Sequence, residues 1–257
     1  MLDNLKMKQD PARRPKADHV VVLPSDADYI DQLAQVQLDA YDVPLEEADH
    51  PELLQAENFE TQLRVFPEGQ FMALDPETDT VVGTCTSMMI DHDISQPVTE
   101  PWRITTDYGS LRTHNPRGEW LYGVDNVVVP RWRGRGIGGR MMRARYNVAR
   151  RLNLRGMIAG SMPIDYHKAA AQGVDIHTYI AQVLRGERWD TNLSKQIRKG
   201  CRVLNVIPNY LTDAEDTLNY GVAIVWDNPD YRPARTTHTR KPARPAREVR
   251  LQPGRPA

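Results

Sequence analysis

The stretch that most constrains this chain runs Val127-Val-Val-Pro-Arg-Trp-Arg-Gly-Arg-Gly-Ile-Gly-Gly139. An apolar run ends at Pro130, which cannot donate to a sheet ladder. Glycines follow at 134, 136, 138 and 139, and then a helical pattern begins. Its apolar positions Ile137, Met141, Ala144, Val148 and Leu152 are three or four apart, while Arg140, Arg143, Asn147 and Arg150 line the opposite face. A strand, a glycine turn and a helix in that order aim several backbone N–H groups at one point. Glycine permits the positive φ and close approach that this needs. The positive end of the helix then makes an anion site without any charged side chain. Arg133 and Arg135 would add charge at its edge.

Other glycine turns fit less well. Gly134, Gly136 and Gly139 match the G-x-G-x-x-G of a dinucleotide-binding turn, but they come late, after two helices and a hairpin. No acidic residue ends the next strand-like run, Gly156 to Gly160. A P-loop needs G-K-[ST], which is absent. A tight turn with no ligand stays open as the plain reading.

The flanking pattern is mixed. Val20 to Leu23 reads as a strand stopped by Pro24, and Ser25 and Asp26 offer an N-cap to a helix carrying Ile30, Leu33, Val36, Leu38 and Tyr41. Leu53 to Phe66 reads as a second helix. Gln70 to Leu74 and Thr80 to Ile90 flank a turn at Asp75 to Asp79. The segment from Asp91 to Glu119 is polar, with Pro97, Pro101 and Pro116, and reads as a long loop or partly ordered insertion. Leu121 to Val129 is a strand, and Gly156 to Ala159 the next. Helices over Ile176 to Arg185 and Leu193 to Lys199, then strands Val203 to Ile207 and Val222 to Trp226, complete a mixed α/β domain over residues 19–230.

Composition sets the frame. Hydrophobic residues make up 40% of the 257, enough for a core. No apolar run approaches the roughly 20 residues that span a bilayer, and residues 1–18 lack the apolar stretch of a signal peptide. A cytoplasmic protein without a membrane partner is expected. Cys85 and Cys201 sit among apolar neighbours and read as buried free thiols. No Cys and His cluster has zinc spacing, so no metal is expected. The near-neutral chain divides unevenly. Residues 231–257 hold eight Lys/Arg against one Glu and repeat Pro-Ala-Arg at Pro233, Pro242 and Pro245. This tail and the arm 1–18 cannot bury enough surface to offset their ordering entropy, and are expected to be disordered. The body between them is acidic. That argues against a nucleic-acid partner and favours attraction of a cationic amine.

Arg133-Gly-Arg-Gly136-Ile-Gly138, behind Val128-Val129-Pro130, resembles the acetyl-CoA-binding motif R/Q-x-x-G-x-G/A of the GNAT N-acetyltransferase superfamily. The element order before it fits that family too. The resemblance covers most of residues 19–230. It implies a mixed, mostly antiparallel, twisted sheet flanked by helices, with central strands splayed to admit acetyl-CoA. Leu121-Tyr-Gly-Val-Asp125, Thr113-His-Asn-Pro116 and Asn153-Leu-Arg-Gly-Met-Ile-Ala-Gly160 are similar to GNAT domains fused to carbon–nitrogen hydrolases, as is the stretch with Pro163, Tyr166, His167 and Lys168. With a basic tail where such a hydrolase would follow, no hydrolase function is carried over.

The resemblance also implies a mechanism. The pantetheine arm pairs with backbone groups of Asn126, Val127 and Val128, and the pyrophosphate rests on N–H groups from Gly134 through Gly136, Ile137 and Gly138 to Gly139. An N–H near Val128 stabilises the oxyanion, and proximity in one groove supplies much of the catalysis. The acceptor is a small-molecule or peptide amine, and a homodimer is left open. The family's helix tyrosine, four residues before a Gly-Phe pair, is missing: the pair reads Gly200-Cys201, with Gln196 four residues back. The acid must come from elsewhere. Tyr166 and His167, after the second splayed strand, are candidates, against plain loop residues. Asp125 is a candidate base, although strand alternation turns it away from Asn126 and Val128. Tyr122, on the face of Asn126 in a regular strand, would line the acceptor groove or pack the core. His114 is a weaker candidate, and Asp190 reads as an N-cap. A catalytically weak acetyl-CoA-binding sensor or interaction module is the competing class.

Overall fold

The computed structural model of the chain describes residues 19–44, 46 and 49–233. The arm 1–18 and all but the first three residues of the expected tail lie outside them. Seven strands form one sheet: β1 (Val21–Pro24), β2 (Phe71–Asp75), β3 (Thr80–Ile90), β4 (Trp120–Val128), β5 (Gly156–Ser161), β6 (Arg202–Ile207) and β7 (Gly221–Asp227). Their order is β1-β2-β3-β4-β5-β7-β6. Every neighbouring pair is antiparallel except β4 with β5. The helices are α1 (Ile30–Tyr41), α2 (Ala56–Val65), α3 (Trp102–Thr106), α4 (Ile137–Arg151), α5 (Tyr166–Ala170), α6 (Ile176–Leu184) and α7 (Leu193–Ile197). The mixed, mostly antiparallel sheet flanked by helices is the expected fold.

Local signals explain the starts. The Asp26 side chain accepts from Asp28 N at the turn into α1. Gln55 and Asn58 close a capping box on α2. Asp175 accepts from the N–H groups of His177 and Thr178 at α6. Two apolar clusters pack against the sheet. One contains Leu33, Val36, Met88, Trp120, Tyr122 and Tyr210; the other contains Leu121, Met142, Tyr146, Tyr166 and Tyr179.

The segment 91–119 is more ordered than its polar sequence implies. Trp102 starts α3, donates its indole N–H to Val124 O at 2.9 Å, and its backbone N–H to Tyr210 O at 2.9 Å. Leu111 and Thr106 are fully buried. This insertion therefore packs as a cover over the face of the sheet away from α4. The last described residues also hold on to the domain: Arg232 N donates to Asn153 Oδ1 at 2.9 Å and its carbonyl accepts from Asn153 Nδ2 at 2.8 Å. Order thus continues past the boundary expected at residue 231.

Candidate active site

The site begins with a parting of strands. β4 and β5 pair only from Trp120–Gly123 against Gly156–Ala159. Beyond that, residues 125–128 stay with β3, and Gly160 and Ser161 stay with β7. A V-shaped gap opens between the two central strands. Val129 N donates to Val82 O at 3.0 Å. Antiparallel alternation then gives Val127 to β3 and turns the N–H groups of Asn126 and Val128 toward the gap. An extended ligand arm can pair with them as a strand would.

A bulge shapes the gap. The β3–β4 register shifts between Thr86 and Ser87, which face Asp125 and Gly123, so Val124 is the extra residue. The bulge resets which face each side chain takes. Asn126 lies against Gly138 of α4, donating to its carbonyl at 3.4 Å. Gly123 also faces α4, where an added Cβ would meet the Arg145 guanidinium at 2.8 Å. Tyr122 therefore points away from α4, and the regular-strand expectation that it shares a face with Asn126 does not hold. Arg145 is buried and secures the bulge from the α4 side. It donates to Ser87 Oγ at 3.0 Å, to Thr86 O at 2.8 Å, and to Asp125 O.

The glycine turn follows at the wide end of the gap. Gly134 and Gly136 both have φ of +78°, and an added Cβ at either would meet nothing within 4 Å. Conformation, not packing, requires glycine there, and the outer side of the turn is open. Gly136 caps α4, so the first N–H groups of the helix face outward. Arg133 turns inward to brace the turn: Nε donates to Val128 O at 2.8 Å, and the guanidinium also donates to Ala40 O at the end of α1. Arg135 lies over the Trp132 ring at 5.1 Å. A further cation arrives from a distant part of the chain. Lys199, just past α7, puts its Nζ 3.8 Å from where a Cβ of Gly139 would stand. An ammonium at the positive end of a helix is unfavourable alone; an anion between them reverses the sign. Nothing in the local sequence marks Lys199 for this place.

Three titratable groups cluster near the narrow end. The Asp125 carboxylate accepts from Gln37 Nε2 at 3.0 Å and Thr84 Oγ1 at 2.9 Å, on the α1 side. Burial pushes its carboxyl up, and these two donors oppose the shift. Tyr122 is fully buried, its hydroxyl 3.1 Å from that of Tyr210. Burial pushes the Tyr122 phenol up to about 12, with the Tyr210 contact opposing. The Tyr210 phenol is raised well above its ordinary range, again by burial first and then by Tyr122. Tyr210 lies across Gly160 and Gly221, where any Cβ would fall 2.0 Å and 2.5 Å from its ring. Two glycines on neighbouring strands thus admit a phenol to the narrow end of the gap. Sequence reasoning missed Tyr210; the paired glycines were its only trace.

The other candidates lie elsewhere. Tyr166 is buried on α5 against Tyr179 and Tyr220, with ring centroids 5.3 Å and 5.8 Å away. It belongs to the apolar cluster that excludes Tyr122 and Tyr210. His167 Nδ1 is 3.5 Å from Asp216 Oδ1. His114 Nδ1 accepts from Met89 N at 3.0 Å and its ring stacks on Phe66, while burial lowers its pKa. Asp190 is fully buried and accepts from Leu193 N, Asn192 N and the Tyr179 hydroxyl, as an N-cap of α7 would. Gln196 keeps a buried side-chain oxygen without a hydrogen-bond partner. Cys85 and Cys201 are free and buried, and burial raises the Cys85 thiol to about 11. Among the described residues, His19, Asp75 and Glu77 form a group with metal-ligand chemistry. It sits at the β1–β2 edge, where His19 Nε2 is 3.1 Å from Asp75 Oδ1 and Nδ1 is 3.8 Å from Glu77 Oε1. Among the described residues no helix is long and apolar enough to cross a membrane.

Comparison with known proteins gives the family and the fold. The model of the acetyltransferase (GNAT) family matches residues 30–169. An uncharacterized N-acetyltransferase, YkwB of Bacillus subtilis, is 32% identical over 206 residues, covering 80% of this chain and 87% of YkwB. The probable hydrolase YhcX of Bacillus subtilis is 36% identical over 196 residues, 76% of this chain but only 37% of YhcX. Among solved structures, the GphF GNAT-like decarboxylase in complex with isobutyryl-CoA superposes with a TM-score of 0.64 at 17% identity, over 81% of this chain and 99% of that one. The loading GNATL domain of CurA from Lyngbya majuscula does so at 0.59 and 12% identity, over 82% and 98%. Those two likenesses concern the fold alone. Turn, gap and sequence relatives together identify the chain as a member of the GNAT acetyltransferase family.

Proposed function

We propose that this protein moves an acetyl group from acetyl-CoA to a primary amine. The observation that carries this reading is the gap: β4 parts from β5 after Gly123 and carries residues 126–128 to an open glycine turn. The pantetheine arm lies along Asn126, Val127 and Val128. The pyrophosphate rests on the N–H groups at the start of α4, with Lys199 as its side-chain counter-charge. The acceptor ammonium first loses a proton. Its lone pair then attacks the thioester carbon, a C–N bond forms, and a backbone N–H near Val128 holds the oxyanion. The nitrogen, now cationic, releases its second proton to water, collapse breaks the C–S bond to leave a neutral amide, and the thiolate takes a proton. The buried phenol of Tyr210, backed by Tyr122, is well suited to give that proton, because its raised pKa keeps it protonated. This moves the acid role from Tyr166 and His167 to the β6–β7 connection. Asp125, already holding two donors, serves better as a brace for the gap than as the base.

The competing reading is an acetyl-CoA sensor with little turnover, favoured by Gln196 in place of the family's helix tyrosine. Acetyl-CoA incubated with a panel of primary amines, with thiol release and acetylated product followed by mass spectrometry, separates the two. Acetylation of at least one amine well above the protein-free rate supports transfer. Tight acetyl-CoA binding with no product from any amine would leave the sensor.

A further inference from the structure

A cluster of ligating side chains lies away from the proposed active site, where the chain enters the sheet. Val21 pairs with Leu74, so His19, just before β1, reaches Asp75 at the end of β2. Glu77 follows in the turn to β3. One ligand atom from each of the three lies within 4.8 Å of the others. The Asp75 side chain is only 6% exposed and that of His19 22%, while Glu77 is exposed. Asp75 is held by its own turn: Oδ1 accepts from Glu77 N at 3.1 Å and Oδ2 from the Thr78 hydroxyl at 2.9 Å. The His19 ring stands edge-on to Trp132, with centroids 6.2 Å apart. Its Nε2 is closed to solvent and has no hydrogen-bond partner, although Asp75 Oδ1 is 3.1 Å away. The ring therefore aims no N–H at that oxygen, and buried polar atoms are rarely left so. Two ligands of one small cation have this spacing without hydrogen-bond geometry: bonds of roughly 2.0–2.2 Å at about 90–110° hold their atoms about 2.9–3.4 Å apart. Among the described residues no Lys or Arg pairs with Asp75 or Glu77.

We propose that His19, Asp75 and Glu77 bind one Zn²⁺ ion, which ties the entry of β1 to the β2–β3 turn. Two carboxylates and a neutral imidazole cancel the divalent charge. The imidazole selects a transition metal over Mg²⁺ or Ca²⁺, which prefer oxygen ligands throughout. Glu77 closes on the ion by rotation of its exposed side chain, and water takes the fourth position. The role is structural. Val20 beside the site is buried in the core, and Trp132 against the His19 ring precedes the glycine turn, so the ion fastens segments far apart in sequence. The expectation of no metal rested on Cys and His spacing, which cannot show one histidine and two carboxylates joined by β1–β2 pairing. This inference stands apart from the transferase reading.

The test uses the full chain, freed of metal by a chelator, with Zn²⁺ alone as the probe. Calorimetric titration should show one saturable site of micromolar affinity or tighter, and Mg²⁺ should not compete for it. Saturating Zn²⁺ should raise the melting temperature by at least about 3 °C, because an ion that binds only the folded chain stabilises it. His19→Ala and Glu77→Gln should each weaken Zn²⁺ binding at least tenfold and shrink the thermal shift. Glu77 is exposed, so its variant reads the site without disturbing the fold, and circular dichroism checks that His19→Ala keeps it. No tight site in the native protein would overturn the proposal. So would a site that either variant leaves unchanged, since other side chains would then hold the ion.

Discussion

At the scale of single residues, the proposed acid is one of two buried phenols in contact. Tyr210 and Tyr122 are both pushed toward the protonated form, so neither can act as base near neutral pH, and either can donate. Tyr210→Phe removes one hydroxyl and keeps the ring that fills the space over Gly160 and Gly221. It should lower kcat at least tenfold, within the roughly 10²- to 10⁴-fold that acid catalysis supplies, and leave acetyl-CoA affinity nearly unchanged. Tyr166→Phe, in the other apolar cluster, should keep kcat within about twofold on the same scale. A kinetic comparison of the two settles the acid. The reverse pattern would return the role to α5. Sequence reading reached Tyr122 but not Tyr210, because a tyrosine after a strand carries no mark of where its ring goes. The glycines that admit it stand 50 and 11 residues away in sequence.

At the scale of elements, the turn was legible and the bulge was not. Glycines at 134, 136 and 138 can be read in sequence because positive φ selects for them, and the structure puts two at +78°. A register shift of one residue has no comparable local signature. It still reverses the faces of everything past Gly123. Arg145 was hidden for the same kind of reason. A charged residue in a helix reads as a solvated position, yet here it is 2% exposed and spends its donors on the bulge. The segment 91–119 reads only as a long loop or partly ordered insertion, because Trp102 and Leu111 anchor it singly, without a period. Arg145→Met tests the bulge. It relieves the burial of a cation, but strands the Thr86 and Asp125 carbonyls and removes the nearest positive charge to the buried Asp125 carboxylate. The second effect should win, costing at least about 2 kcal/mol. Arg145→Lys keeps charge without the fork that reaches three acceptors and should fall between. Urea melts with unchanged midpoints for both would show that the bulge holds itself.

For the whole molecule, two apolar clusters along one sheet divide the work. The first carries the phenols and the apolar residues of the turn, Val129, Trp132 and Ile137; the second carries the later part of α4 with α5 and α6. The boundary expected from the Pro/Arg-rich composition lies near residue 230, and the described residues run to 233. Composition could not show the pair of hydrogen bonds between Asn153 and Arg232. A chain shortened to end after Pro233 should keep its melting temperature within about two degrees. One ending after Asp230 loses both bonds, about 1–2 kcal/mol, and should melt roughly 2–6 °C lower. Calorimetric scans of the two check this, and equal loss from both would mean that the residues beyond 233 contribute to the fold.

The central claim is that the turn and gap hold acetyl-CoA, and a titration tests it most directly. Gly136→Asp places a carboxylate where the pyrophosphate should rest. The space there is open, so the added side chain meets no protein atom, although a non-glycine residue at that φ costs of order 1 kcal/mol of stability. Isothermal titration of acetyl-CoA should show saturable one-to-one binding to the native protein, and at least tenfold weaker binding, about 1.4 kcal/mol, to the variant with its fold intact by circular dichroism. Equal affinity in the two proteins, or no binding to the native one, would contradict the account.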